Sequence, residues 1–562
     1  MSAAAWAAWA AMGVAADGSS SRPGQGGGGP DSLGAHYQAQ YRATFGAAVA
    51  AQQAKPLVVP YAVTGAVIIP VMYLSIPHRT RPWLYRLRFA VAGAVVALNA
   101  RVLVADATSA RNLAVAYAVG LMLAWGTIWP LAMLLLLKPQ FTAARVQKRK
   151  RSGADGRAVE KPGPARDESI AAVAEAYEHY WQPFPEDGTF LDRLDWVWDF
   201  YSSFRGVGWN WAVRVLPGPP HPKEKPLPGG GDITQGELAR LDAMPVVSRA
   251  GFRRMTTRRG FVRDRLANIA WSYLVLDALS VAMARDPFFV LGPEYEYAVV
   301  HPLPAALAAL PPPALAVWRS ACPGLAIFAA MYCYGCTWEL TRFSLSSRTS
   351  TNRELWRYPS LFGSAANVLD RGLAGFWGGF WHQSFRVAFS APATWLVRAG
   401  YLRPGGLSTK AVEAVAAFAL SGALHAAGSF SAAPRTTRPL RNVLFFVLSG
   451  AGIVAQTAFC RFVLPLVVRR RWWCPSRPVR RVANLAYALA WLHATRWAFL
   501  DDMSRAGLFI YAPVPASPMR FLLARCCAGY SGDEHWWRWD MTYLPRWYWS
   551  PVHWWESGIA IG

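Results

Sequence analysis

Residues Leu113–Leu137 read LAVAYAVGLMLAWGTIWPLAMLLLL, and this stretch decides the fold class. It carries no charge. As a helix rising ~1.5 Å per residue it reaches about 37 Å, enough to cross a hydrocarbon core of about 30 Å. Lipid offers backbone groups no water, so a spanning segment must satisfy its own hydrogen bonds, and a helix does so within one segment. The run stops at Lys138-Pro139, a cation followed by a helix breaker. Similar stretches recur at residues 56–75, 87–104, 266–285, 315–338, 411–430, 443–468 and 482–500, and less clearly at 508–523. Segment 359–397 is apolar and aromatic but interrupted by glycine and proline. The pattern predicts an all-α integral membrane protein, a bundle of about eight or nine transmembrane helices, with no internal repeat.

Composition agrees. Of 562 residues 53% are hydrophobic and 16% charged, the mean hydropathy is positive, and the 28 tryptophans suit a headgroup zone. The formal net charge of +25 comes mostly from arginine. These arginines flank the apolar runs, so the positive-inside rule explains them and nucleic acid is not expected as a partner. His78, Arg79, Arg81, Arg86 and Arg88 mark the loop after the first span as cytoplasmic. Residues 138–265 and the arginines between Arg469 and Arg481 fall on the same side. The acids Asp286, Glu294, Glu296, Asp501 and Asp502 fall opposite. Arg435, Arg438 and Arg441 disagree, since parity makes them lumenal. The N-terminus is expected in the lumen, without the basic start of a signal peptide.

The chain divides into a low-complexity N-terminus expected to be disordered (1–50), N-terminal spans (51–140), a basic cytoplasmic loop with an amphipathic interfacial helix at 191–204 (141–265), a membrane domain (266–525) and a Trp-rich tail (526–562). The seven cysteines form no secreted framework and no zinc spacing. Cys333 and Cys336 lie in an apolar run and read as small packing residues, and the adjacent Cys526 and Cys527 suit no single metal. No metal or cofactor is expected.

Two of the 10 histidines stand out. His425 lies inside an apolar span within ALSGALHAAG, residues 419–428. Ionisable groups are rare at membrane depth and face interior cavities, and small neighbours admit either a close helix or a substrate. A buried neutral imidazole can serve as a general base. A packed histidine bonded to a neighbouring helix fits the same residues. His382 lies in FWGGFWHQSFR, residues 376–386. If that block is helical, Trp377 and Trp381 sit one turn apart, as do His382 and Arg386. An interfacial aromatic belt would also contain these residues.

The two blocks together resemble a known family. Residues 355–364, LWRYPSLFGS, contain a Pro-x-Leu-Phe-Gly element, and residues 373–386 follow a Leu-x-x-Phe-Trp-x-x-x-Trp-His-Gln-x-x-Arg pattern. His425 follows His382 by 43 positions. This is similar to fungal wax-synthase-like proteins of the membrane-bound O-acyltransferase superfamily. RGVGWNW at 205–211, after the aromatic Asp195 to Trp198, is also similar to those proteins. The resemblance covers roughly residues 190–500.

The resemblance implies a bundle with an internal catalytic chamber, in the endoplasmic reticulum membrane, and transfer of an acyl group from acyl-CoA or acetyl-CoA to a hydrophobic alcohol. That alcohol is a long-chain alcohol, a sterol, or a terpenoid or polyketide natural product. His425 and His382 are the implied catalytic residues, and Trp377, Trp381, Gln383 and Arg386 the implied substrate-binding ones. Many members of the superfamily carry Asn or Asp where this chain has His382, which leaves its role open between orienting the alcohol and donating to the oxyanion. Neither a Gly-x-Ser-x-Gly elbow nor a Cys–His arrangement is present, so direct transfer in a ternary complex is the simpler expectation. A transporter would need paired broken helices with internal symmetry, which the sequence lacks, and a non-catalytic member of the fold would have lost a histidine.

Overall fold

The computed structural model describes residues 30–150, 177–220, 224–225, 232–233, 237–293, 303–347, 350–432, 437–466, 476–526, 536–539 and 543–562. The described residues are mostly helical, with three small antiparallel sheets among them. Among the described residues, six helices are long and apolar enough to cross a membrane: Arg88–Ala105, Leu113–Leu137, Arg258–Ala284, Pro312–Leu345, Leu407–Ser431 and Pro439–Leu466.

The expected spans differ from these in definable ways. Residues 56–75 form a shorter apolar helical segment, Tyr61–Leu74. Residues 482–495 fall in the amphipathic helix Arg477–Thr495, and a tight turn over Arg496–Ala498 follows it. Residues 508–523 are not a span: turns lead from 506 to 517 into the short helix Pro518–Cys526. Segment 359–397 breaks into Ala366–Gly375, Phe376–Phe380 and Arg386–Arg398. Val58–Val59 pairs with Ile559 and Ala560, so the first and last described strands meet in one sheet. Among the described residues the six long apolar helices are fewer than the eight or nine expected spans.

The decisive stretch is a helix over Leu113–Leu131 that continues as a wider π turn over Ala132–Leu137. Asn112 caps its start by accepting from the N–H groups of Ala114 and Val115. Pro130 inside it has no N–H, which frees the carbonyl of Gly126 four residues back. The side-chain amide of the buried Asn99 donates to that carbonyl at 3.0 Å. A polar residue in the neighbouring span thus repairs the hydrogen-bond ladder where lipid could not.

The region expected as a basic cytoplasmic loop is a folded cap over its described residues. Ala144–Lys150 pairs with Tyr177–Pro183, and the helix Phe190–Ser202, started by a Thr189–Asp192 capping box, packs beside it. Trp196 and Phe200 of that helix are buried, while Leu191 and Trp198 stay exposed. The cap holds buried charge. Asp199 binds Arg357 at 2.7 Å, and Arg342 and Arg145 stand at 3.4 and 3.6 Å. Burial pushes the Asp199 carboxyl up, but these guanidiniums outweigh it and hold the group below the usual carboxylate range. Glu354 is likewise buried against His179 at 2.9 Å and Lys148 at 3.1 Å.

Two expectations for the termini need correction. Residues 30–50 form a helix, with Phe45 and Ala48 buried, so low complexity does not extend to residue 50. The end of the Trp-rich tail is built into the sheet with Val58–Val59, where Glu556 pairs with Lys55 at 2.7 Å. Residues 1–29, Glu294, Glu296, Arg435, Arg469 to Arg471, Cys527, and parts of the basic run at 148–151 and of the linker at 217–231 lie outside the described residues.

Candidate active site

His425 sits within the unbroken helix Leu407–Ser431. Its ring stacks on Phe446 at 5.1 Å with the planes 10° apart, and Phe499 meets it edge-on at 5.0 Å. The Tyr117 hydroxyl lies 3.4 Å from Nδ1 and 3.3 Å from the His425 carbonyl oxygen. Among the described residues, Nε2 has no hydrogen-bond partner.

His382 is held differently. The block 376–386 is not one helix. A π turn runs over Phe376–Phe380, Trp381 is extended, and the next helix begins at Arg386. His382 therefore occupies a break. The break is braced by Gln383, whose amide donates to the carbonyls of Trp381 at 2.7 Å and Trp377 at 3.1 Å. Arg386 in turn donates to the Gln383 oxygen at 2.8 Å. Gln383 is thus committed to the turn, and Arg386 caps that brace. Trp377 and Trp381 keep ring contact at 6.2 Å despite the broken helix. The N–H of Ser384 donates to His382 Nδ1 at 3.4 Å, so the neutral ring carries its proton on Nε2.

Separate elements bring the two histidines together. Their imidazoles lie within electrostatic reach of each other, and Arg205 is also within reach of His382. Ring contacts bridge them: His382 to Trp381 at 5.4 Å, Trp381 to Trp377, and Trp377 to Phe446 at 5.8 Å. The helix Leu113–Leu131 lines both sides. Its Tyr117 meets His425, and its Trp125 packs at 4.7 Å on Phe385, which meets His382 edge-on.

Sequence reasoning flagged RGVGWNW without giving it a task. Arg205 donates to the carbonyls of Ser360 at 2.7 Å and Pro359 at 3.0 Å. The buried Glu339 joins Arg205 at 3.3 Å to Arg265 at 2.8 Å, and Arg265 holds the Tyr358 carbonyl. This network fixes the Pro-x-Leu-Phe-Gly loop. Gly363 of the loop donates to the Phe380 carbonyl at 3.0 Å, and a Cβ there would lie 2.0 Å from the Gly379 oxygen. Phe362 packs on Trp381 at 5.4 Å. The chain of contacts ends beside His382. Glu339 was the legible sign, an acid at the end of an apolar run.

A cleft of about 1010 Å³ opens beside this turn. Its walls come from the end of the third span, from residues 210–215 and from the helix Arg386–Arg398. They carry Arg214, Arg386, Arg398, Lys410 and one acid, Glu413.

Known proteins give this geometry a context. The model of the membrane bound O-acyl transferase family matches residues 358–448, the stretch holding the braced loop and both histidines. Over that stretch the chain is similar to the membrane-bound O-acyltransferase family. It is 27% identical over 246 residues to the acetyltransferase ple2 of Rhodocybe pseudopiperita, covering 44% of this chain and 51% of that protein. It is 28% identical over 249 residues to the acetyltransferase atnC of Arthrinium sp, covering 43% and 48%. It is 24% identical over 296 residues to the O-Mevalon transferase macI of Penicillium terrestre, covering 49% and 56%. The chain spans about half the length of these curated relatives. No solved structure matches it.

Proposed function

We propose that this chain transfers an acyl group from acyl-CoA to the hydroxyl of a hydrophobic alcohol. The observation that carries the reading is the approach of His382 and His425 to each other through one aromatic cluster. In the reaction, Nε2 of His425 takes the alcohol proton as the alcohol oxygen attacks the thioester carbonyl. The Nε2–H of His382 donates to the oxyanion that forms. Collapse breaks the carbon–sulfur bond, and the His425 imidazolium returns its proton to the departing CoA thiolate. An ester and CoA result, with no covalent enzyme intermediate.

The basic cleft supports the donor assignment. Its four cations face a single acid, which suits the phosphates of CoA, and Arg386 joins the cleft to the His382 turn. Two of the relatives are acetyltransferases, which favours acetyl-CoA as donor and a fungal natural-product alcohol as acceptor. The bilayer supplies the acceptor, and the endoplasmic reticulum is the membrane proposed. The test is transfer in microsomes with acetyl-CoA or a long-chain acyl-CoA, each offered a panel of long-chain, sterol, terpenoid and polyketide alcohols. Ester formation with acetyl-CoA is expected. Turnover with long-chain donors alone would overturn the acetyl assignment, and no turnover with any pair would overturn the enzymatic reading.

A further inference from the structure

A base must have its lone pair free, and an imidazole has two nitrogens that compete for one proton. The surroundings of His425 decide which nitrogen holds it. The Tyr117 hydroxyl reaches both Nδ1 and the carbonyl oxygen of His425, at 3.4 and 3.3 Å. A hydroxyl has one proton to give, and a carbonyl oxygen can only accept. Both contacts are satisfied in one way alone. The hydroxyl donates to the carbonyl, and Nδ1–H donates to the hydroxyl oxygen. Nε2 is then bare.

The position of Tyr117 is built in from both helices. Its ring fills the hollow over Gly428, where a Cβ would meet ring carbons at 2.7 to 3.0 Å. One turn further along the same helix, a Cβ on Gly120 would lie 1.8 Å from the Ala427 oxygen. The Ser431 hydroxyl is inserted into the ladder of the helix Leu113–Leu131. It accepts from the Gly120 N–H at 2.8 Å and donates to the Ala116 carbonyl at 2.7 Å. The pair Ala116 and Gly120 brackets Tyr117, so the two helices are pinned where the tyrosine meets the histidine.

We propose that Tyr117 is the positioning residue that keeps the proton of His425 on Nδ1 and leaves Nε2 to act as the base. The assignment rests on the acyl-transfer reading above. It also carries the next step. Once Nε2 takes the alcohol proton, Nδ1–H still donates to the tyrosine oxygen, and the imidazolium keeps a partner.

The test uses the full-length protein carrying Tyr117→Phe, which removes one oxygen and leaves the ring in its hollow. Wrong-tautomer substitutions behind a catalytic histidine cost up to about 10⁴-fold where the partner is a carboxylate, and a neutral hydroxyl should count for less. The expected result is a kcat on the order of ten- to a hundredfold lower per folded molecule. Both KM values should stay within about twofold, because a lost base lowers kcat and kcat/KM together. Folded protein is counted by size exclusion in detergent, so an expression defect cannot imitate the effect. Wild-type turnover by Tyr117→Phe, or a loss confined to KM or to the folded fraction, would overturn the assignment. His425→Ala, run alongside, separates the two levels. If it is inactive while Tyr117→Phe is normal, only the positioning role fails. If it is active, the acyl-transfer mechanism and the positioning role fail together.

Discussion

The two histidines of the candidate site are held by opposite means. His425 sits in a regular 25-residue helix, Leu407–Ser431, and needs only a cross-helix hydroxyl to set its proton. His382 sits where a helix has been broken: Gln383 and Arg386 brace its own turn, and Arg205, Glu339 and Arg265 fix the loop at 358–363 that packs beside it. A regular helix supplies its own precision, because each backbone group is fixed by the one four residues away. A break frees those groups, and something polar must replace each lost partner. The site therefore has one histidine robust to remote change and one that depends on residues nearly 180 positions earlier in the chain, Arg205 among them.

The largest effect should come from the histidines themselves. We expect His425→Ala to lower kcat on the order of 10²- to 10⁴-fold, the range for loss of a general base. Membrane insertion and expression should stay near normal, since a small neutral residue suits the span. His382→Ala should also be severe but smaller, because an oxyanion donor typically contributes about 10²- to 10³-fold. Initial rates in microsomes, normalised to enzyme content, measure both. A His382→Ala defect larger than that of His425→Ala would reverse the roles assigned here.

The brace gives the second test. Arg205→Met leaves Glu339 with Arg265 alone and frees the carbonyls of Pro359 and Ser360. Breaking a buried charge network by removing one partner costs about 3–5 kcal/mol. The expected outcome is a clearly lower thermal midpoint together with a kcat on the order of tenfold lower, since the loop that seats Trp381 loosens. Tyr117→Phe should show the opposite pairing, a kcat loss with only a slightly lower midpoint. Equal midpoints for the two variants would remove the contrast between a helix-held and a side-chain-held histidine.

These differences also explain what the sequence could disclose. Spans are legible because lipid imposes length and apolarity on consecutive residues, as in 113–137. The pair His382 and His425 was legible from local patterns and from the family resemblance. The break at Trp381 was not, because a π turn, a glycine pair and a bracing glutamine look like a helical aromatic belt when only spacing is read. Tyr117 was hidden for a different reason. The small residues around His425 announced a close neighbour, but which helix supplies it is a tertiary fact. The helix over residues 30–50 and the terminal sheet were masked by composition, since their partners lie elsewhere in the chain.

His493 offers the smallest expected effect and the sharpest control. It too lies in the membrane domain, and its Nδ1 meets a hydroxyl, Ser320 Oγ, at 2.9 Å. Ser320 donates its own proton to the Ala316 carbonyl at 2.7 Å, so Nδ1–H of His493 must be the donor to it, the same logic as at Tyr117. The difference lies at the other nitrogen. Nε2 of His493 is 3.4 Å from an Arg496 guanidinium nitrogen, which can only donate, so its lone pair is occupied. A histidine with both nitrogens engaged is a joint between helices, and its loss should cost about 1 kcal/mol for one hydrogen bond. His493→Ala is therefore expected to keep kcat within about twofold of wild type while the thermal midpoint falls slightly. If its kcat instead drops as far as that of His425→Ala, a bare Nε2 is not what distinguishes the working histidine from the packing one.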